Sequence, residues 1–293
     1  MATTPAEPSD DRASPLSAAD LEEICAIIYK RSGMVFGETK RYYIERRVAD
    51  LIAQRQSASA RNYIGVLRGD PRETELLINS FTVNETYFYR EQHQLACLSN
   101  SILPEVIRSK GPGDRIRIWS MPCSSGEEPY SIAIWLLENW PLVDAYNVEI
   151  TGSDIDTDVL KQAVEGYYGP RSLSKIPKDI LDRYFDPEKD QQRRLISDLR
   201  ESVTFAKGNI IDRQSLAAIG RFDVIFCRNL LIYFDEAARE IAARNIHELL
   251  YPGGFICLGH TESMSRISET FEPVRFPDAI VYRERRGKNE WMN

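Results

Sequence analysis

The chain has 293 residues, 43% hydrophobic and 28% charged, with a formal net charge of −7. That length makes two domains the prior, the composition is that of a globular protein, and the acidic balance disfavours generic nucleic-acid binding, which leans on a basic field. No apolar run approaches the roughly 20 residues that span a bilayer and no basic-then-apolar segment marks a secretory signal, so a cytoplasmic protein is expected.

Residues 1–15 are rich in Pro, Ser, Ala and Asp and read as a disordered tail. From Leu16 to about Asn100 the pattern is helical. Ser17 is a plausible N-cap with Asp20 beside it, and Leu21, Ile24, Cys25 and Ile28 recur on one face. A second helix spans Lys40 to Gln56, its apolar arc made by Ile44, Val48, Leu51 and Ile52. Lys40, Arg46 and Arg47 project off that arc, with Arg46 and Asp50 spaced for an i,i+4 pair. The run Phe81 to Arg90 places three aromatics beside Asn84, Thr86 and Arg90, which suggests one packed side and one facing a ligand. The expected organisation is a helical domain over 16–95, a linker helix over 96–112 and an α/β domain over 113–288.

The most informative stretch follows. A buried strand, Arg115 to Ser120, turns through Cys123-Ser124-Ser125-Gly126-Glu127-Glu128 into a helix from about Pro129 to Glu138. Such a junction lets backbone approach a nucleotide closely and points free N–H groups at it. Glu127 and Glu128 in the first turn repel phosphate and suit a ligand carrying an amine or a sulfonium, as S-adenosylmethionine does. A second strand, Val148 to Asp154, precedes a helix from Asp156 to Glu165. Asp154 is placed to accept hydrogen bonds from both ribose hydroxyls, with helix capping as the alternative and the favoured reading for Asp156. A third strand, Phe222 to Cys227, puts Asn229 at its carboxyl end, where open α/β sheets bind ligands.

Five cysteines (Cys25, Cys97, Cys123, Cys227, Cys257) lack metal-ligand spacing and read as reduced thiols, Cys123 as a space-filling residue. His93, His247 and His260 form no pattern with a nucleophile. His247 reads as an exposed helix residue, and His260 as shaping the pocket mouth or stabilising a turn. No metal site is expected.

Five motifs stand in order: N-E-T-Y-F-Y-R at 84–90, C-S-S-G-E-E-P-Y-S at 123–131, G-S-D-I-D at 152–156, C-R-N-L-L-I-Y-F at 227–234 and G-H-T-E-S at 259–263. Over about residues 16–285 the chain resembles the CheR-type chemotaxis receptor methyltransferases. The resemblance implies a small all-helical N-terminal domain, then a Rossmann-like S-adenosylmethionine-dependent methyltransferase domain with a small antiparallel β-subdomain inserted at about 166–207. It implies formation of glutamate methyl esters on methyl-accepting chemotaxis receptors, with S-adenosylhomocysteine as product. Carried over, Asn84, Thr86, Arg90, Glu128, Asp154, Asn209 and Asn229 line the cofactor pocket, and Ile210 and Leu230 flank the adenine. Arg90 and Tyr233 lie near the transferring methyl. The basic helix carrying Lys40, Arg46 and Arg47 docks on the receptor. Within the subdomain, Arg194 to Ser197 and Val203 to Ala206 are the expected strands. Glu188 to Gln192 connects into it without glycine, whereas relatives that bind a receptor's C-terminal pentapeptide carry a tight glycine-containing turn, which argues against tail binding.

A glutamate with an ordinary pKa of about 4.3 is ionised at neutral pH and needs no general base. Two rivals remain open: a methyltransferase for a small molecule or RNA, and a catalytically silent adaptor that kept the fold.

Overall fold

The computed structural model describes residues 16–37 and 40–285. The expected tail at 1–15 lies outside the described residues. Those described fall into two compact units that divide between Phe81 and Thr82, ahead of the expected boundary at 95.

The first unit holds four helices: α1 (Ala18–Ser32), α2 (Arg41–Gln54), α3 (Ala60–Gly69) and α4 (Pro71–Phe81). Ser17 caps α1 by accepting the Asp20 N–H, and Gly33, left-handed at φ 75°, ends it. The arc of α2 is buried as its spacing requires: Ile44, Val48, Leu51 and Ile52. Phe36 and Tyr43 close on Phe81, with ring centroids 5.3 and 5.8 Å away. The i,i+4 ion pair on α2 is Arg41 with Glu45 at 2.8 Å, not Arg46 with Asp50, and the Arg47 guanidinium lies 5.0 Å from the Tyr43 ring centroid.

The second unit opens with α5 (Gln92–Cys97), which runs through a wide turn at Leu98–Ile102 into α6 (Leu103–Val106). It continues with β1 (Arg115–Ser120), α7 (Glu127–Asn139), β2 (Asn147–Asp154) and α8 (Thr157–Glu165). Then come β3 (Tyr167–Tyr168), α9 (Pro170–Leu173), α10 (Lys178–Tyr184), β4 (Arg193–Arg194), α11 (Ser197–Ser202) and β5 (Val203–Lys207). The unit ends with α12 (Arg213–Leu216), β6 (Phe222–Cys227), α13 (Glu236–Leu249), β7 (Leu250–Leu258), β8 (Phe271–Arg275) and β9 (Ile280–Glu284). The seven-stranded sheet has the order β5-β2-β1-β6-β7-β9-β8. The first five strands in that order run parallel and the last two pairings are antiparallel. Every residue of β6 is buried, as expected of an inner parallel strand covered on both faces. The chain leaves β1 for β2 on one side, and β6 flanks β1 on the other. The topological switch point is therefore at the carboxyl end of β1, where such sheets hold ligands.

The small sheet pairs β3 with β4, and bridges from Phe185 to Leu195 and from Lys189 to Gln192 add a third run. The strand expected over Arg194–Ser197 forms as β4 with a bridge at Leu195, and helix α11 begins at Ser197; the strand expected over Val203–Ala206 also forms, but as the parallel edge of the main sheet, in register with β2, rather than in the small one. Alternating apolar residues mark Val203–Lys207 as a strand but carry no information about which sheet it joins. The glycine-free connection also forms a tight turn: Lys189 and Gln192 exchange backbone hydrogen bonds of 2.8 and 2.9 Å around Asp190 (φ 52°) and Gln191 (φ 60°). His247 is half-buried rather than exposed. The antiparallel strands cover its turn of α13, so its ring meets Glu284 at 3.0 Å and the Phe271 ring at 5.9 Å.

Candidate functional site

The loop after β1 is stitched to both neighbouring strands, Met121 N–H donating to Phe226 O (2.8 Å) and Cys123 N–H to Ser153 O (2.9 Å). Two glycines allow this closeness. A Cβ on Gly126 would stand 2.9 Å from Ala163 Cβ, and one on Gly152 would stand 2.8 Å from the Phe205 ring. Gly126 also holds a left-handed φ of 93°, so any side chain there is strained as well as crowded.

The two first-turn glutamates of α7 separate in role. Glu127 is 4% exposed and internally satisfied, accepting from Ser172 Oγ (2.7 Å) and Ser125 Oγ (2.8 Å), and burial pushes its carboxyl up. Glu128 faces a cavity, accepting from Ser120 Oγ (2.8 Å) and from Arg228 Nη1 (2.7 Å). Arg228 is buried, and it also reaches Glu91 (3.1 Å) and the Arg90 carbonyl (3.1 Å). Burial pushes Glu91 up, but Arg228 and His260 outweigh it and hold the carboxyl below its ordinary range. His260 meets Glu91 at 2.9 Å, which fastens the 259–263 turn to the segment behind Arg90.

The cavity is lined by Thr86, Arg90, Ser124, Glu128, Arg228 and Asn229, among others. Four expected residues, Thr86, Arg90, Glu128 and Asn229, therefore meet in one place. Arg90 donates to Glu85 O (2.7 Å) and lies 5.9 Å from the Tyr87 ring centroid. Tyr89, Glu91, Ser124 and Asn229 all carry a left-handed backbone without being glycine. Clustering of such costly conformations around one cavity is characteristic of functional sites.

The other expected residues stand outside that lining. Asp154 is 3% exposed at the tip of β2, where its carboxylate accepts the N–H groups of Ser124 (2.8 Å) and Asp156 (3.0 Å). Burial pushes its pKa up to about 6 against the pull of those two donors. Asp156 caps α8 and also accepts from Thr82 Oγ1 (2.6 Å) and Asn84 Nδ2 (2.9 Å). Asn84 is thus committed to a structural bond. Asn209 accepts the Ile211 N–H (3.2 Å), and Ile210 is buried with its carbonyl taken by Asn245 Nδ2 (2.7 Å). Leu230 and Tyr233 are joined by a 3.0 Å backbone bond in the turn after β6.

Sequence reasoning missed Ser124, Arg228 and Glu262. Ser124 Oγ is buried and, among the described residues, has no hydrogen-bond partner. Arg228 Nε is in the same position. An unused hydroxyl and an unused guanidinium N–H beside a carboxylate fit the charged amino-acid end of S-adenosylmethionine, because a buried polar group without a partner is costly unless a ligand supplies one.

Two family models match the chain in tandem. The CheR methyltransferase all-alpha domain covers residues 19–82, and the CheR methyltransferase SAM binding domain covers residues 84–280. Chemotaxis protein methyltransferase 2 of Vibrio cholerae is 44% identical over 265 residues, which is 89% of this chain and 92% of that protein. The chemotaxis protein methyltransferase of Klebsiella aerogenes is 36% identical, covering 88% and 87% of the two chains. Chemotaxis protein methyltransferase 1 of Pseudomonas aeruginosa is 34% identical, covering 90% and 97%. With its helical unit, its switch-point cavity and both family models in place, the chain belongs to the CheR methyltransferase family and binds S-adenosylmethionine.

Proposed function

We propose that the protein transfers a methyl group from S-adenosylmethionine to glutamate side chains of methyl-accepting chemotaxis receptors, forming 5-O-methyl esters in the cytoplasm. The observation that carries this reading is the tandem family match joined to a switch-point cavity that gathers Arg90, Glu128, Arg228 and Asn229.

What bound S-adenosylmethionine supplies is an electrophilic methyl on a positively charged sulfur. The chain's part is binding, orientation and exclusion of water. Arg90 and Arg228 would hold the cofactor's carboxylate, Glu128 its ammonium and Asp154 its ribose, while Ile210 and Leu230 would flank the adenine, Thr86 and Asn229 would complete the lining, and Asn84 and Asn209 would support it from outside. Carboxylate and sulfonium charges would fade together as the oxygen–methyl bond forms and the methyl–sulfur bond breaks to leave neutral S-adenosylhomocysteine, so partial desolvation and alignment at about 3–3.5 Å favour the transition state. A tight arginine clamp on the attacking carboxylate would stabilise the charged ground state instead, which is why Arg90 is given to the cofactor. Tyr233 contacts the methyl or sulfonium through its oxygen or ring, a modest interaction.

Receptor engagement runs through Lys40, Arg46 and Arg47, whose local charge offsets an overall acidic protein. A pentapeptide tether is not part of the proposal, because residues 188–192 lack the glycine of tail-binding relatives. Incubation with tritiated S-adenosylmethionine and the receptor fraction of the source organism, followed by alkaline release of labelled methanol, tests the whole. Labelled receptor that yields no methanol in alkali would refute ester formation, and an unlabelled receptor fraction would refute the substrate.

A further inference from the structure

Glu262 gathers four backbone donors on one carboxylate. Its Oε2 accepts the N–H groups of Asn229 (2.7 Å) and Gly259 (2.9 Å), and its Oε1 accepts those of Leu230 (3.0 Å) and Leu231 (2.7 Å). One side chain thereby binds three consecutive amides after β6 and a fourth after β7. Successive amides that follow a left-handed residue form a concave anion site, and Asn229 supplies that conformation at φ 57°. Here the anion is internal. Gly259 completes the fit, because a Cβ there would stand 2.7 Å from Asn229 Nδ2 and 2.8 Å from Glu262 Oε2. The Asn229 side chain thus lies against bare backbone on one side and faces the cavity.

Left alone, this turn has little reason to hold its shape. Asn229 sits in a left-handed conformation that asparagine tolerates but does not by itself enforce, and three converging amide dipoles repel one another without an acceptor. We propose that Glu262 is a positioning residue for methyl transfer: by pinning the Asn229–Leu231 backbone it sets Asn229 at the cofactor cavity and, through the turn closed by Tyr233 N–H on Leu230 O (3.0 Å), the approach of Tyr233. Glu262 is not part of the cavity lining and acts through those two residues. The proposal rests on the cofactor reading of the cavity.

Calorimetric titration of the full chain with S-adenosylhomocysteine at 25 °C, with single-turnover methyl transfer in parallel, provides the test. In Glu262→Gln an amide nitrogen replaces one acceptor oxygen and confronts two N–H donors. Its dissociation constant should rise at least tenfold, and its single-turnover rate should fall at saturating cofactor. Glu262→Asp keeps both oxygens but withdraws them by one methylene, so it should fall between Glu262→Gln and wild type. Ile180→Ala, a cavity in another helix, should lower the melting temperature yet leave both readouts unchanged. Affinity and rate within twofold of wild type in folded Glu262→Gln would reduce Glu262 to a staple of the fold. If Glu262→Gln does not fold, unchanged affinity in Glu262→Asp would overturn the positioning role in the same way. Wild-type protein that bound no S-adenosylhomocysteine would overturn this proposal together with the cofactor reading.

Discussion

Arg228 and Glu128 stand 100 residues apart in the chain and meet at 2.7 Å in the wall of the cavity. Burial works against the Arg228 charge, but Glu128 and Glu91 together keep it firmly protonated. Removing the cation leaves two largely buried carboxylates without their shared counter-charge, with only Ser120, Gln94 and His260 beside them, and breaking a buried pair in this way costs about 3–5 kcal/mol. Arg228→Met should therefore lose about that much stability in urea denaturation and bind S-adenosylhomocysteine poorly at temperatures where it is still folded. A variant as stable as wild type would show that Glu128 and Glu91 are solvated after all.

With Asp154 on the ribose, as proposed, cofactor binding should depend on pH. The Asp154 carboxyl titrates near 6 rather than at the ordinary 3.8, because burial penalises the ionised form. A folded pKa above the unfolded one means that this group's contribution to stability falls as pH rises from about 4 to 6, by about 3 kcal/mol in all. In the proposed pocket the ribose hydroxyls would donate to the ionised form, so binding should change in the opposite sense. Affinity for S-adenosylhomocysteine should be flat above pH 7 and weaken towards tenfold per unit below 6. Asp154→Ala should weaken cofactor and product alike by about 1–3 kcal/mol and abolish that slope. Calorimetry from pH 5 to 8 checks both, and undiminished affinity in folded Asp154→Ala would leave Asp154 as a brace for the Ser124 and Asp156 amides.

Much of this site was legible in the sequence because its signals are local. The three strands that carry it were placed to within a residue by their apolar runs, and each hands over to small or polar residues at its carboxyl end, which put Glu128 and Asn229 at the cavity and Asp154 at the tip of β2, outside the lining. Long-range partners were not legible. Arg228 lies within a motif recognised from the sequence, yet nothing local says that its guanidinium turns back to Glu128 rather than outward. Glu262 likewise follows a strand as an ordinary polar residue, and only the close approach of β6 and β7 gives it four backbone donors. The turn at Asp190 and Gln191 failed for a different reason: sequence preference for glycine at left-handed positions is a bias in energy of about 1–2 kcal/mol, which surrounding pairing overcomes.

Tyr233, proposed to contact the transferring methyl, offers a separation of binding from chemistry. If its hydroxyl contacts the transferring methyl, Tyr233→Phe should slow single-turnover transfer severalfold while hardly changing affinity for S-adenosylhomocysteine, which lacks that methyl. Equal rates would make it a packing residue of the turn after β6.

The exposed guanidinium groups of Arg46 and Arg47 stand on α2 without a carboxylate partner among the described residues. Charge reversal of both to Glu should slow receptor methylation through weaker encounter. It should also flatten the salt dependence of the rate, since surface attraction is screened over about 10 Å at 0.1 M. Cofactor affinity should be unchanged. A normal rate across a salt series would show that this face is merely solvated.

Gln191 holds φ 60° with an exposed side chain, a conformation that costs a non-glycine residue roughly 1–2 kcal/mol, whereas Asp190 at φ 52° is of a type that tolerates it better. Glycine at 191 removes that strain but gains freedom in the unfolded chain worth about 0.4–1 kcal/mol, so Gln191→Gly should stabilise by about 0.5–1 kcal/mol in urea denaturation. Because the tight turn already closes without glycine, the same substitution should not create affinity for receptor tails. Calorimetry with the tail peptides of the organism's receptors should detect no micromolar binding to wild type or to Gln191→Gly. Micromolar binding to wild type that is lost on mutating residues 188–206 would establish a tether, and its appearance only in Gln191→Gly would show that glycine, rather than turn geometry, sets tail recognition.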